Sequence, residues 1–450
     1  MTPPLGPALP IDPPAVPLSS EPEQPGMGTP APLRSPFGAS RRWWRGITWT
    51  PAFIGYLVYT FVIVTYRLPI GTAAAALALL GLAFQRTRFR LPLFVILLFA
   101  SLLWAVLGGF STAYGSVVNE ALLDRLKVCL IALVAVNAVR SGPQVRFFLL
   151  FLLASYMLFP IRSVLVNYYI TGYTEFGRAV GPAIYNNSND LAALAILALS
   201  VALTVVSIER RPGPVRWGAM VAVALLVLTI LLTKSRGAFL ATAVMMGPAG
   251  FSLIVRNPRK LLSVVALATI VVLGTPASVW DRFVMLKLTT QADEIDQFDP
   301  EGSARERFEI LRTAARITGD NPVFGVGLGA YALANADYNP GVGVMDTHNT
   351  YLNLAAEVGL PGLLLFLVLT ASVLRRSRQA RRRVRRQAPQ LAQAQRWLEL
   401  GLIGYLTAGI FGSYSKLIFP YVFMALIWSH AEVLRKLLPP PATAAARRRG

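Results

Sequence analysis

The stretch NDLAALAILALSVALTVVSI, residues 189–208, decides the fold class. After Asn189 and Asp190 it carries no charge as far as Ile208, and it stops at Glu209-Arg210-Arg211. About 20 apolar residues in an α-helix rise roughly 30 Å, the thickness of a bilayer's hydrocarbon core. Ser188 or Asn189 can cap such a helix where it begins.

Outward from this run, comparable apolar segments occur at 50–66, 68–84, 91–109, 121–139, 144–166, 215–233, 237–255, 260–279, 349–374, 396–413 and 417–436. Of the 450 residues, 54% are hydrophobic and only 14% charged, whereas soluble domains carry about 25% charged residues. The expected fold is all-α: a polytopic membrane protein with about 12 transmembrane helices.

A net charge of +21 in a soluble protein would suggest a nucleic-acid partner, so the placement of the basic residues decides their meaning. With the N-terminus inside, Arg41, Arg42 and Arg45, then Arg86, Arg88 and Arg90, all fall on the cytoplasmic side. Arg140 and Arg146, Arg210, Arg211 and Arg216, Arg256, Arg259 and Lys260 follow on the same side, as do the run from Arg375 to Arg386 and the basic C-terminus. This is the positive-inside pattern, and it reports topology in place of nucleic-acid binding. Both termini are expected in the cytoplasm.

Residues 1–40 are proline-rich and read as a disordered cytoplasmic tail. Residues 41–438 form the membrane domain, and 439–450 a basic cytoplasmic tail. The loop at 280–347, on the non-cytoplasmic side, is rich in acidic residues. Within it, Ser303 and Glu306 have capping-box spacing, Ile310, Ala314 and Ile317 recur at helical period, and Gly319 and Pro322 close the segment. A surface helix over 303–318 follows. Arg305, Arg312 and Arg316 share one stripe of it, and Arg307 points off that stripe. The lone Cys129 lies in an apolar run and two histidines are all the chain has, so neither a disulfide framework nor a Cys/His metal site is expected.

Several polar motifs meet the membrane on the non-cytoplasmic side. Arg178 and Gly181 lead into Asn186-Asn187-Ser188-Asn189-Asp190, a loop entering a helix. Its plain reading is a cap, and its functional one an anion site, since free N–H donors and the helix dipole attract phosphate. Thr233-Lys234-Ser235-Arg236 puts two cations in a short turn against the positive-inside trend, as snorkelling anchors or as ligands for an anion. Asn321-Pro322-Val323-Phe324-Gly325-Val326-Gly327 lacks the Lys-Ser/Thr ending of a P-loop and reads as a close-packed turn. Asp346-Thr347-His348-Asn349-Thr350-Tyr351 opens a span, with Asp346 or Thr347 as cap and His348 in the first turn. A helix N-terminus there disfavours imidazolium and keeps a ring able to accept a proton. His430 lies near the opposite side and reads as packing.

Together these residues resemble the O-antigen ligase and O-antigen polymerase family over roughly residues 176–365. The matching motifs are Arg178 with Gly181 and the Asn186 to Ala192 run, Ser235-Arg236-Gly237, the Asn321 to Gly327 loop, and His348 to Leu352 followed by Glu357-Val358-Gly359-Leu360-Pro361-Gly362. The resemblance implies a metal-independent glycosyltransferase without cofactor in the bacterial inner membrane. It would move a glycan from undecaprenyl pyrophosphate to an acceptor hydroxyl on lipid A-core, another glycan or a protein, at the periplasmic face. It places the catalytic histidine at His348 and pyrophosphate-binding arginines at Arg178 and Arg236, with Arg307 or Arg305 as a third. Asn349 and Tyr351 would orient substrate or the histidine.

A secondary transporter or flippase is the rival class, since about twelve helices suit it as well. Transporters carry charged residues near mid-membrane, and here the distinctive residues gather at one face. A scaffold using the basic run 375–386 to hold anionic lipid is the third reading.

Overall fold

The structure is a computed structural model that describes residues 37, 43–85, 87–209, 211–256 and 303–437, the side chains of 249–256 and 303–305 aside. The expected span 260–279, most of both tails and the loop as far as residue 302 lie outside the described residues. Within them the chain is helical, and one isolated bridge, Glu175 with Arg178, is the only β pairing.

The helices are α1 (Pro51–Thr65), α2 (Gly71–Ala83), α3 (Leu93–Gly109), α4 (Gly115–Ala138), α5 (Gly142–Thr171), α6 (Ser188–Ile208), α7 (Pro214–Leu232) and α8 (Arg236–Arg256). After the undescribed segment come α9 (Ser303–Asp320), α10 (Tyr331–Tyr338), α11 (Thr350–Val384), α12 (Pro389–Ala408) and α13 (Phe419–Arg435). By length and composition, four of these, α5, α6, α7 and α11, are able to cross a membrane, while α1, α2 and α3 are apolar but shorter. The sequence therefore suggests more spans than helix length alone supports.

Helix α6 is the hub, almost wholly buried and packed most extensively on α12 and α7. A small residue makes the α6–α12 approach possible: a Cβ on Gly401 would lie 2.2 Å from the Ser200 hydroxyl. Such small-residue contacts let helix backbones approach in lipid, where packing replaces the hydrophobic effect. Around this hub, Leu80, Leu103, Leu107, Leu123, Trp217, Val221, Leu364 and Leu367 are exposed, as a lipid-facing rim requires.

Two expectations need correction. The basic run from Arg375 is no loop, because α11 continues through it to Val384. Arginine is a good helix former, and Ser377, Ala380 and Val384 on this extension are buried. The caps also differ. Asn187, not Ser188 or Asn189, caps α6, accepting from the Asn189 and Asp190 amides at 2.8 and 3.3 Å. Asn349, not Asp346 or Thr347, caps α11, accepting from the Tyr351 and Leu352 amides at 3.0 Å each.

Residues 303–349 form a layer over one end of the bundle. Helix α9 runs slightly beyond the expected 303–318, and its Ile310, Ala314 and Ile317 are buried against Tyr331 and Ala334 of α10 and Ala356 of α11. The loop at 321–329 is the close-packed turn expected, and it explains how α11 is built. Leu360 donates to the Pro322 carbonyl at 2.8 Å, outside its own helix, and Pro361 has no N–H to give. The carbonyls of Ala356 and Glu357 therefore lose their helical donors, and the amides of Val326 and Gly327 bond them, each at 2.9 Å.

Helix α11 breaks at Gly359, whose φ of 70° and ψ of 177° are not helical. A Cβ there would stand 2.0 Å from the Val323 carbonyl oxygen. Gly359→Ala is expected to destabilise the protein by about 3 kcal/mol, combining overpacking with a left-handed φ. Gly343→Ala shares the positive φ but meets open space, so it should cost only about 1 kcal/mol. Melting of the two variants in detergent checks the difference.

Candidate functional site

The site is assembled at the end of the bundle where α6, α8 and α11 begin and α7 and α12 stop. Non-glycine residues with left-handed φ mark it. Among the described residues these are Tyr66, Phe176, Ala183, Lys234 and His348, and all lie in the connections at this end. Such conformations cost of order 1–3 kcal/mol each and persist only where the surroundings impose them.

Arg178 stands on a two-residue hairpin, in which Glu175 and Arg178 exchange backbone hydrogen bonds of 3.0 and 2.9 Å around Phe176 and Gly177. Its Nε donates to the Thr233 carbonyl at 2.9 Å, and one terminal nitrogen donates to the Asn189 side chain at 2.8 Å. The amide of Ala179 bonds the Leu232 carbonyl at 2.9 Å. The hairpin is thereby fastened to the turn that carries Lys234 and Arg236, and Lys234 Nζ lies 3.6 Å from where a Gly177 Cβ would be. Arg236 itself is exposed and, among the described residues, makes no hydrogen bond or ion pair.

His348 is one residue ahead of the Asn349 cap and outside the first turn in which the sequence placed it, with φ 50°. Its neighbours hold that conformation. The Thr347 and Ser413 hydroxyls are 2.7 Å apart, Asn349 Nδ2 donates to the Ile410 carbonyl at 3.1 Å, and the Thr350 amide donates to the Gly409 carbonyl at 2.7 Å. The Thr350 hydroxyl bonds the Gly412 carbonyl at 2.6 Å, and the Tyr351 hydroxyl bonds the Leu406 carbonyl at 2.7 Å. Asn349 and Tyr351 therefore act on the backbone that positions His348. The His348 ring is half-buried and has no hydrogen-bond partner among the described residues.

The 409–416 turn after α12 joins the two halves. Phe411 packs on Gly237, next to Arg236, within 2.6 Å of where a Cβ would be. Tyr414 is buried within electrostatic reach of Arg178, Asp190 and Asp346. Lys416 forms a 3.0 Å ion pair with Asp346, two residues before His348.

Burial lowers the His348 pKa below its ordinary value of 6.5. Asp346 and Glu306 oppose that effect, and the positive charges of Arg307 and Lys416 reinforce it. Arg307, exposed on α9, is within electrostatic reach of the imidazole. Arg305 is on the same helix, outside the residues whose side chains are described. Arg312 and Arg316 are exposed and nothing connects them to His348.

Sequence reasoning passed over Lys416. The test that singled out Lys234 and Arg236, a cation at a short turn on the side where cations are sparse, would have found it. His430 is remote from all of this, buried and stacked on Phe37 at 5.0 Å between ring centroids.

This end of the bundle thus carries an imidazole whose pKa burial lowers and, in its connections and on α9, the cations Arg178, Lys234, Arg236, Arg307 and Lys416. Residues 221–367 match the O-antigen ligase family model. The matched stretch contains Arg236, Arg305, Arg307, His348, Asn349 and Tyr351, with Arg178 before it and Lys416 beyond it. No match is found among curated proteins.

Proposed function

We propose that this chain transfers a glycan from a lipid-linked pyrophosphate, undecaprenyl pyrophosphate in bacteria, to an acceptor hydroxyl at the periplasmic face of the inner membrane. The observation that supports the reading is that the 409–416 turn bonds the backbone around His348 and packs on Gly237 beside Arg236, while Arg178 is fastened to the same Arg236 turn. The acceptor is lipid A-core, another glycan or a protein.

In this mechanism the acceptor oxygen attacks the anomeric carbon while the bond from that carbon to the pyrophosphate oxygen breaks. The electron pair leaves with the pyrophosphate, and the hydroxyl proton passes to His348. Negative charge grows on phosphate oxygens, where guanidinium groups stabilise it. Arg236 and Arg307 are exposed and make no ion pair among the described residues, and Arg178 is fastened to the turn that carries Arg236. With charge neutralised by arginine and a good leaving group, the chemistry needs neither a nucleotide nor a divalent metal. One displacement inverts the anomeric centre.

The test is to incubate purified protein with lipid-pyrophosphate glycan and candidate acceptors in the presence of chelator, following release of the lipid pyrophosphate. Movement of intact lipid-linked glycan without cleavage would instead establish a flippase. The same assay reads the base. A general base works unprotonated, so the lowered pKa of His348 predicts that activity survives acidification below pH 6.5 and falls only as pH drops through the lowered value. Arg307→Gln removes a cation from beside the ring. It should slow transfer and move the acid limb of the pH profile upward, and an unmoved limb would detach Arg307 from His348.

A further inference from the structure

We propose that a cleft at the opposite end of the bundle, between α3, α11 and α13, binds an anionic phospholipid, with its phosphate on Arg90 and Arg375 and an acyl chain along α3 and α11. The cleft has a volume of about 590 Å³. Its walls are apolar, built from Leu93, Phe94, Val368, Ala371 and Trp428, and its polar end carries Arg375, Arg376 and Gln379.

The charges at that end do not balance. Arg90 lies over the Trp428 ring, 5.8 Å from its centroid, and its Nη1 is buried without a hydrogen-bond partner. Glu432, the acid within reach of Arg90, accepts from Arg376 Nε at 2.8 Å and from Arg435 at 3.4 Å. Arg140 and Lys436 add further positive charge around Arg90 and Glu432. Arg375 is exposed and has no partner among the described residues. A buried guanidinium nitrogen without an acceptor is costly, and a phosphate offers several oxygens to two arginines at once.

The walls show which phosphate. Leu93 and Val368 are 58% and 42% exposed, so the cleft opens onto the lipid-facing surface of the bundle. A free anion would leave the apolar walls uncovered, and a neutral lipid would leave the arginines unbalanced. An acidic amphiphile meets both demands. The position also separates this ligand from the donor of the proposed reaction. Below the break, from Leu360 to Arg375, α11 rises about 22 Å, most of a hydrocarbon core of about 30 Å. The cleft therefore faces the leaflet across from His348.

Native mass spectrometry of the purified full chain in detergent, with dioleoyl phosphatidylglycerol or dioleoyl phosphatidylcholine added, tests this. The wild type should retain phosphatidylglycerol with about tenfold preference, in line with charge-assisted phosphate contacts. Arg375→Gln alters an exposed, unpaired side chain, so the fold should tolerate it, and it should reduce the preference. Arg90→Gln with Arg375→Gln should remove it. Ala371→Trp fills the cleft without touching a charge and should lower phosphatidylglycerol retention. Equal retention of the two lipids by the wild type, unchanged preference in Arg375→Gln, or full competition by inorganic phosphate would overturn the proposal.

Discussion

Replacing His348 by alanine is expected to slow glycan transfer by roughly 10²- to 10⁴-fold, the range over which a positioned general base contributes. The expectation is clean because the ring makes no hydrogen bond among the described residues. Its backbone is the complication, since φ is 50° and alanine is strained there. His348→Asn removes the base in a residue that tolerates left-handed φ. Both variants should fall to a similar rate in initial-velocity assays on membrane preparations matched for protein level. Transfer at the wild-type rate by His348→Asn would dismiss the imidazole from the chemistry.

Loss of Arg236 should be nearly as severe, about 10²- to 10³-fold, the scale on which a single preorganised charge stabiliser acts. Arg236 is the better probe of the arginine set because its side chain has no partner to lose among the described residues, whereas Arg178 also bonds the Thr233 carbonyl and the Asn189 side chain. Arg236→Ala should lower kcat more than it raises KM if the guanidinium meets charge that develops only as the bond breaks. Arg236→Lys keeps a point charge but not the planar fork, and should recover only part of the rate. Full recovery by lysine would mean simple attraction of the donor. Arg178→Lys should lose activity too, with some loss of thermal stability that Arg236→Lys does not show.

Much of the architecture was legible because lipid imposes a simple rule on sequence. Long uncharged runs such as 189–208 must be helices, and their ends were placed well wherever the polarity changes abruptly. It was less legible where a helix leaves the apolar layer, since hydropathy then says nothing: α11 continues through Arg375 to Val384 on arginine's helix propensity and three small or apolar contacts. The caps were displaced by one to three residues because Asn187 and Asn349 compete with equally good neighbours, and tertiary bonds decide. Asn189 is taken by Arg178, and Thr347 by Ser413.

At the site, residue type and sidedness were readable, since His348, Arg178 and Arg236 stand out against apolar surroundings. What joins them was not. The end of α12 and the turn after it contribute mainly backbone carbonyls to their hydrogen bonds with Asn349, Thr350 and Tyr351, and carbonyls leave no mark on a sequence.

The break at Gly359 divides α11 into a short segment held by the 321–329 loop and a long one exposed to the bilayer. When a membrane thins or thickens, long helices respond by tilting. Here that tilt would be taken up at the break, because Leu360 is bonded to Pro322 while Ala356 and Glu357 are bonded to Val326 and Gly327. Tilt of the longer segment would then reach the stretch bearing His348 only through that break and through its bonds to the end of α12.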